Sequence, residues 1–464
     1  MRKIALALFI LTVFQLSFGA FTLKWFYALA PSDTARPFNY DRMVYGATAA
    51  IAQLPGVNSV GGEPDDWLEI VFGSEELRNY EDTTDTSRGL WRCLDATGRL
   101  EWFKGTQTDE SRSSPAILDF YGGDGLPDII GGTTSGWNVE AMDRFGNFLW
   151  TFPSPPVLSG PYAWHSSPAV ADFVPALPGL EVVIGCNAYN AITGTSHWGI
   201  WCFQADPSDR RDNGITSPGW LDYPASVAPG GTDGIDWDVI WYRQTNAPVI
   251  STPCAADMNG DGADDVIIGV GWNAPATAPV GADDGKIMCL NGTNGAVLWS
   301  VSTGDHVTAS PAVADLDRDG DPEVVVGSYD GNLYFIDGDE NGNGIIDPSE
   351  MEVYRGSGRI YSSAAIADVD HDGDYEIIVG LGNGLLGCFN YFPVLDSIIV
   401  KWVDTLGDSI VTSPAIAGHP DDHIPWPFFR RDAKRTGFYP YAGPWLHIFI
   451  AADKPSGAYL FDIL

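Results

Sequence analysis

The sequence has 464 residues, with 25 Lys and Arg against 61 Asp and Glu, a formal charge of −36. So acidic a chain is a poor candidate for binding nucleic acid or anionic membrane surfaces. It carries 53 Gly and 32 Pro and no long stretch of helical period, which points to an all-β protein rich in turns.

Residues 1–20 read as a secretory signal peptide. Arg2 and Lys3 form the charged start, Ile4 to Leu16 the apolar run, and Ser17-Phe18-Gly19-Ala20 the cleavage region. The apolar run is too short for a comfortable transmembrane span. Export without membrane insertion is expected, to the outside or surface of the cell, or to the periplasm of a Gram-negative bacterium. Residues 21–464 then form one domain. It starts with FTLKWFYAL, which reads as an outermost strand with no partner before it.

Internal repeats follow. Aligned on the Pro of SPA, Pro115, Pro168, Pro253 and Pro311 mark successive units, with Ala364 and Pro414 in that place later and Ala49 earlier. Each fuller unit has four strands, A to D, as in TPCAAD, DVIIGV, KIMCLN and AVLWSVS of the fourth. Four-stranded units at this period are the signature of propeller blades. Strand D carries a recurrent aromatic (Trp102, Trp150, Trp241, Trp299, Trp402, with Tyr354 in the fifth unit), read as packing between blades. Cys93, Cys202, Cys289 and Cys388 share one point of the repeat. Equivalent points on neighbouring blades are too far apart to bridge, so these read as small buried residues; Cys186 and Cys254 stay open. The chain ends in LHIFIAADKPSGAYLFDIL, which reads as strands B and C with nothing after. With SPAIAG and the N-terminal strand they would complete a seventh blade and close the ring, removing the exposed edges of an open array. The alternative is a separate small module from residue 443 onwards. Two insertions stand out: 207–235 in unit three and 419–443 in unit seven. The second holds Arg430, Arg431, Lys434 and Arg435, read as cations paired with acidic loops nearby.

The A–B loops carry the chemistry. Three of them match a calcium pattern: Asp257-Asn259-Asp261-Asp265, Asp315-Asp317-Asp319-Glu323 and Asp368-Asp370-Asp372-Glu376. Alternating oxygens, a Gly after the third and a closing carboxylate wrap one hard cation, as calcium loops do. The second unit, Asp119 to Asp128, has one residue too many, and units one and three lack the pattern. A fourth site, DENGNGIIDPSE, fits the twelve-residue EF-hand loop through Asp339, Asn341, Asn343, Asp347 and Glu350, without flanking helices. The expected cofactor is Ca2+, holding packed carboxylates together.

These loops resemble the FG-GAP/VCBS repeat, the blade of integrin-α-type propellers. The SPAVADLDRDGDPEVVVG unit carries the resemblance, most strongly in units four to six. It implies a seven-bladed propeller with calcium in the A–B loops of several blades, and a role in adhesion or recognition of a protein or glycan. NGTNGAVLW, Asn291 to Trp299, also resembles quinoprotein propeller repeats. Enzyme signatures are poor: no HExxH, no GxSxG and no Walker loop occurs. The reading is a monomeric recognition module, more a binder than an enzyme. The alternative is a polysaccharide lyase or, less favoured, a quinone-dependent dehydrogenase.

The ligand face is expected opposite the calcium loops, where B–C turns lengthen in units one to four. Trp137, Trp198 and Trp272 stand in those turns, and Trp164 with His165 joins them from a D–A turn. Aromatic faces beside polar groups suit a sugar ring or a protein hot spot; packing down onto the ring is the other reading. His306, Arg112 and Arg359 are expected near the channel mouth.

Overall fold

In a computed structural model the description covers residues 49–417, without 58–68, 77–88, 96–97, 107–110, 112, 134–137, 154–165, 178, 191–194, 207–238, 273–283, 340, 371, 393–396, 406–409 and 411–412. Beyond that range it covers the strands 21–27, 42–43, 446–451 and 458–463. The signal segment, both insertions with their basic run, Arg112, Trp137, Trp164 and His165 lie outside the described residues. No helix among the described residues is long and apolar enough to cross a membrane.

The described strands form seven antiparallel sheets. Sheet one runs Ala50–Ala52, Glu69–Glu76, Gly89–Leu94 and Leu100–Gly105, with Arg42–Met43 added beside the far end of Glu69–Glu76. Sheet two is Ala116–Leu118, Asp128–Gly132, Asn138–Asp143 and Phe148–Pro153. Sheet three is Ala169–Ala171, Glu181–Asn190, Thr195–Gln204 and Val239–Gln244. Sheet four is Cys254–Ala256, Asp265–Val270, Lys286–Leu290 and Val297–Ser302. Sheet five is Ala312–Ala314, Glu323–Gly327, Asn332–Ile336 and Met351–Arg355. Sheet six is Ala365–Ala367, Glu376–Leu381, Leu385–Phe392 and Ser397–Thr405. In the last sheet Ala415–Ala417 pairs with Leu446–Ala451, that strand with Ala458–Ile463, and that one with Phe21–Tyr27. The first described strand thus lies beside the last described one.

One row crosses sheets one to six in the same register. In sheet four it is Cys254, Ile267, Cys289, Trp299. In sheets one, three and six the third and fourth places are again Cys and Trp: Cys93 with Trp102, Cys202 with Trp241, Cys388 with Trp402. All six cysteines are free and buried, Cys186 and Cys254 included. In sheet five Glu352 holds the Trp place, opposite Phe335. Tyr354 falls two residues further on and packs against Phe389 of sheet six, ring centres 4.7 Å apart.

In sheets one and three the strand-D Trp joins the next sheet, whereas Trp402 of sheet six is 39% exposed and not packed away as expected. Trp102 Nε1 donates to Arg144 O at 3.1 Å and Trp241 Nε1 to Gly292 O at 2.6 Å, each in the C–D turn of the next sheet. The turns bring glycines against the indoles: a Cβ on Gly295, at φ +69°, would lie 2.6 Å from the Trp241 ring. Side chains of sheets four, five and six merge into one buried cluster around Phe335, Val325, Ile377 and Phe389. Each such large apolar side chain contributes roughly 1.5–3 kcal/mol on burial.

The SPA motif has a second use. The hydroxyl just before the Pro accepts the backbone N–H of its counterpart in the preceding sheet. The relay runs Ser114 N to Ser167 Oγ (2.7 Å), Ser167 N to Thr252 Oγ1 (3.0 Å), Thr252 N to Ser310 Oγ (2.8 Å), Ser310 N to Ser363 Oγ (2.7 Å) and Ser363 N to Ser413 Oγ (2.8 Å). The residue before it binds strand B of its own sheet: Ser113, Ser166, Ser251 and Ser362 accept the N–H of Gly132, Gly185, Gly269 and Gly380. Neighbouring A strands, which have no ladder between them, are thereby laced together. S310A strips the buried Thr252 N–H of its partner, which costs about 1–3 kcal/mol. The urea midpoint should fall with the slope unchanged; a midpoint equal to wild type would show the relay to be dispensable.

Candidate metal centres and the opposite face

Strand B of sheets one to six opens with a buried carboxylate: Glu69, Asp128, Glu181, Asp265, Glu323 and Glu376. One oxygen of each accepts a backbone N–H of its own A–B loop. Glu69 takes Leu54 N at 2.6 Å, Asp128 takes Tyr121 N at 2.9 Å, Glu181 takes Val174 N at 3.0 Å, Asp265 takes Met258 N at 3.1 Å and Glu376 takes Val369 N at 2.8 Å; Glu323 takes Leu316 N. Sequence reasoning read this carboxylate only as a closing metal ligand. It also ties the loop, which is why units one and three keep it without the rest of the pattern. Burial pushes the carboxyl of Asp265 up to about 7, of Glu181 to about 8 and of Glu323 to about 9.

In sheets five and six the remaining acids converge on that group. Ligand oxygens of Asp315, Asp317 and Glu323 lie within 4.8 Å of one another, as do those of Asp368, Asp370 and Glu376. Asp315 Oδ1 and Asp368 Oδ1 are buried without a hydrogen-bond partner. An unsatisfied buried oxygen facing other carboxylates is costly in the absence of a cation. A hard-oxygen set with such an atom fits a calcium-type ion. Asp319 and Asp372 stand outside these triads; they receive the N–H of Asp321 and Asp374, both at 2.9 Å, and shape the turn.

Loop four is arranged differently. Asp257 and Asn259 accept Asp261 N, and Asp257 also accepts Gly262 N at 2.9 Å. Asp265 spends its two oxygens on Met258 N and Gly292 N. One carbon shorter than Glu323, it does not reach into a triad with the loop acids. In loop two, Asp119 Oδ2 accepts Gly125 N at 2.8 Å, and its Oδ1 is buried and unpartnered.

The EF-hand-like segment lies between strands Asn332–Ile336 and Met351–Arg355. Asp339 Oδ1 accepts Asn343 N at 3.0 Å, and Asn343 Oδ1 accepts Ile345 N at 2.8 Å. Asn341 Nδ2 donates to Glu350 Oε1 at 2.9 Å and to Asp347 Oδ2 at 3.4 Å; Glu350 Oε2 accepts Asp347 N at 2.7 Å. Glu350 is buried. Asn341, Asp347 and Glu350 are brought together around one point, with Asp339 and Asn343 shaping the turn before it.

On the opposite face, B–C and D–A segments of sheets four to six form a polar aromatic cluster. His306 Nδ1 lies 2.7 Å from Asp284 Oδ1, and its ring is 5.9 Å from Tyr329. Tyr329 stands 4.7 Å from Tyr361 and beneath the Arg359 guanidinium at 5.2 Å. Trp198 is placed otherwise than its sequence neighbourhood suggests. The B and C strands of sheet three extend to ten residues each, so Trp198 sits inside the strand Thr195–Gln204, 1% exposed. Its indole is packed inward and offers no face to a ligand. Trp272 is half-buried, just past the strand Asp265–Val270.

Four-stranded antiparallel sheets in series, with acidic A–B loops, are the scaffold of a β-propeller protein. Residues 315–379 match the family model of the FG-GAP-like repeat, from loop five into strand B of sheet six. Among solved structures the chain is similar to Sqt1 of Saccharomyces cerevisiae, with a TM-score of 0.52 and 11% identity over 92% of this chain and 98% of that one. It also matches BBS1N in complex with ARL6DN, at a TM-score of 0.48 and 10% identity over 91% and 95% of the two chains. BamB from Moraxella catarrhalis matches at 0.40 and 12% over 91% and 98%. The likeness to Sqt1 bears on the fold alone.

Proposed function

We propose that this protein is a secreted, calcium-stabilised, seven-bladed β-propeller that recognises a protein or glycan, as an adhesion or binding module. The observation that carries the calcium reading is the pair of converging triads, each with a buried Asp oxygen that lacks a partner. Asp315, Asp317 and Glu323 would hold one ion, Asp368, Asp370 and Glu376 a second, and Asn341, Asp347 and Glu350 a third. The ion's role is structural: it offsets the repulsion of packed carboxylates. Ring closure is supported by the pairing of Phe21–Tyr27 with Ala458–Ile463. Recognition is assigned to the face of His306, Tyr329, Tyr361 and Arg359, where aromatic rings and a cation suit sugars or a protein hot spot.

A lyase is the second reading, because His306 with Asp284 and the nearby Arg359 bring a base and a cation to one face. One screen separates the two. Glycans, polysaccharides and extracellular proteins are offered to the protein in calcium and in chelator, with soluble product monitored. Retained ligand without product, lost on Tyr361→Ala with the melting temperature intact, is the expected result. Product release favours the lyase; no retention and no product removes both.

A further inference from the structure

Loops five and six carry the same ligand pattern, but among the described residues only the acids of loop six are in ion pairs with a cation. The outer strand Ser397–Thr405 has a register break: Cys388 pairs with Trp402 and Phe389 with Val400. The extra residue of that bulge is Lys401. At the corresponding break sheets one to four carry Glu101, Leu149, Ile240 and Leu298, and the pairing in sheet five has no break. The Lys401 ammonium lies 2.7 Å from Asp370 Oδ2, 3.2 Å from Asp372 Oδ2 and 2.5 Å from Glu376 Oε1. The Glu376 side chain is fully buried and that of Lys401 is 24% exposed. A lysine on the outermost strand thus reaches in to the acid at the start of strand B.

We propose that Lys401 is a tethered cation: it holds loop six in shape without metal, and calcium enters that loop only by displacing the ammonium. The inference rests on the calcium reading of these loops and concerns how the two sites differ. An acidic loop needs positive charge among its carboxylates to stay folded. In loop five the loop's own cation, Arg318, lies over the Tyr375 ring, 5.7 Å from its centre, and not among the triad acids. In loop six it is covalently attached, anchored by the paired residues on either side of the bulge, and so present at high effective concentration. Displacing it breaks three charge-assisted contacts, which are stronger than neutral hydrogen bonds. Loop five should therefore bind calcium tightly and depend on it. Loop six should bind weakly and stay folded in chelator.

Calcium titration by calorimetry, with melting in chelator, tests this on the full chain as wild type, K401M, K401R and K401M/D370N. K401M should gain a site tighter by about tenfold or more, a change of about 1.4 kcal/mol or more. D370N should remove the gain, and K401R should titrate as wild type. In chelator K401M should melt below wild type, and calcium should close that gap. Identical titrations for wild type and K401M, or equal melting in chelator, overturn the proposal. If wild type takes up calcium that D317N abolishes while K401M gains none, the calcium reading of loop five stands and only the role of Lys401 falls. If neither chain takes up calcium, both fall.

Discussion

Chelating calcium will lower the melting temperature by several degrees and leave the β-sheet signal below the transition unchanged. An ion bound only by the native state stabilises it by mass action, about 2.7 kcal/mol per site at a hundredfold excess over Kd. The triad of Asp315, Asp317 and Glu323 is the main source, because the loop's own cation, Arg318, is turned to the Tyr375 ring and, among the described residues, no lysine reaches these acids as Lys401 reaches those of loop six. The effect should grow with pH. In the metal-free native protein burial pushes the Glu323 carboxyl up to about 9. Between the ordinary carboxyl pKa of about 4 and that value, the native state holds a proton that the unfolded chain has released. Stability without metal is therefore greatest at the acid end of that window and is lost as pH rises through it. On the calcium reading the ion takes the place of that proton, so the gap between calcium and chelator should widen from acid to mildly alkaline solution. Scanning calorimetry over that range checks both claims. Superimposable melts in calcium and chelator at the alkaline end would exclude a stabilising ion.

Removing residues 446–463 will abolish cooperative unfolding and bring aggregation. The deletion takes out both strands between Ala415–Ala417 and Phe21–Tyr27. Phe21–Tyr27 loses its ladder among the described strands, and two sheet edges are laid open to other chains. A smaller cut, from residue 458 onwards, removes just the strand that pairs with Phe21–Tyr27 and should have the same outcome. Size-exclusion chromatography and a urea melt read the result. A monomeric truncated protein with the wild-type midpoint would mean that the C-terminal strands are a separate module.

The strand-level plan was legible in the residues because a four-stranded repeat is written locally. Alternation, Gly and Pro at the turns, and the SPA motif returning in register mark each sheet without help from its neighbours. The Cys and Trp of strands C and D could be aligned by eye, and they do face each other in four sheets. The sheet-five exception was not legible: Tyr354 is an aromatic in about the right place, but only pairing across the sheet gives that place to Glu352. Trp198 was misplaced for a similar reason. NAYNAITGTSHW has the composition of a loop, and the ladder from Glu181 to Asn190 with Thr195 to Gln204 overrides it.

The sequence by itself determined which atoms are available to a cation. Carboxylates spaced along an A–B loop come from local order, and the chain must turn at the glycine whatever surrounds it. Tertiary structure alone decided how each loop spends those atoms. Asp265 turns both oxygens to backbone amides, Glu323 keeps one among the acids of its loop, and Glu376 gives one to a lysine 25 residues away. The serines divide in the same way: their repetition is written in the chain, but the relay from Ser114 to Ser413 exists only once A strands lie side by side. The physical reason is common to these cases. A ligand pattern is a property of neighbours in sequence, whereas the charge or amide that satisfies it comes from another strand or another sheet.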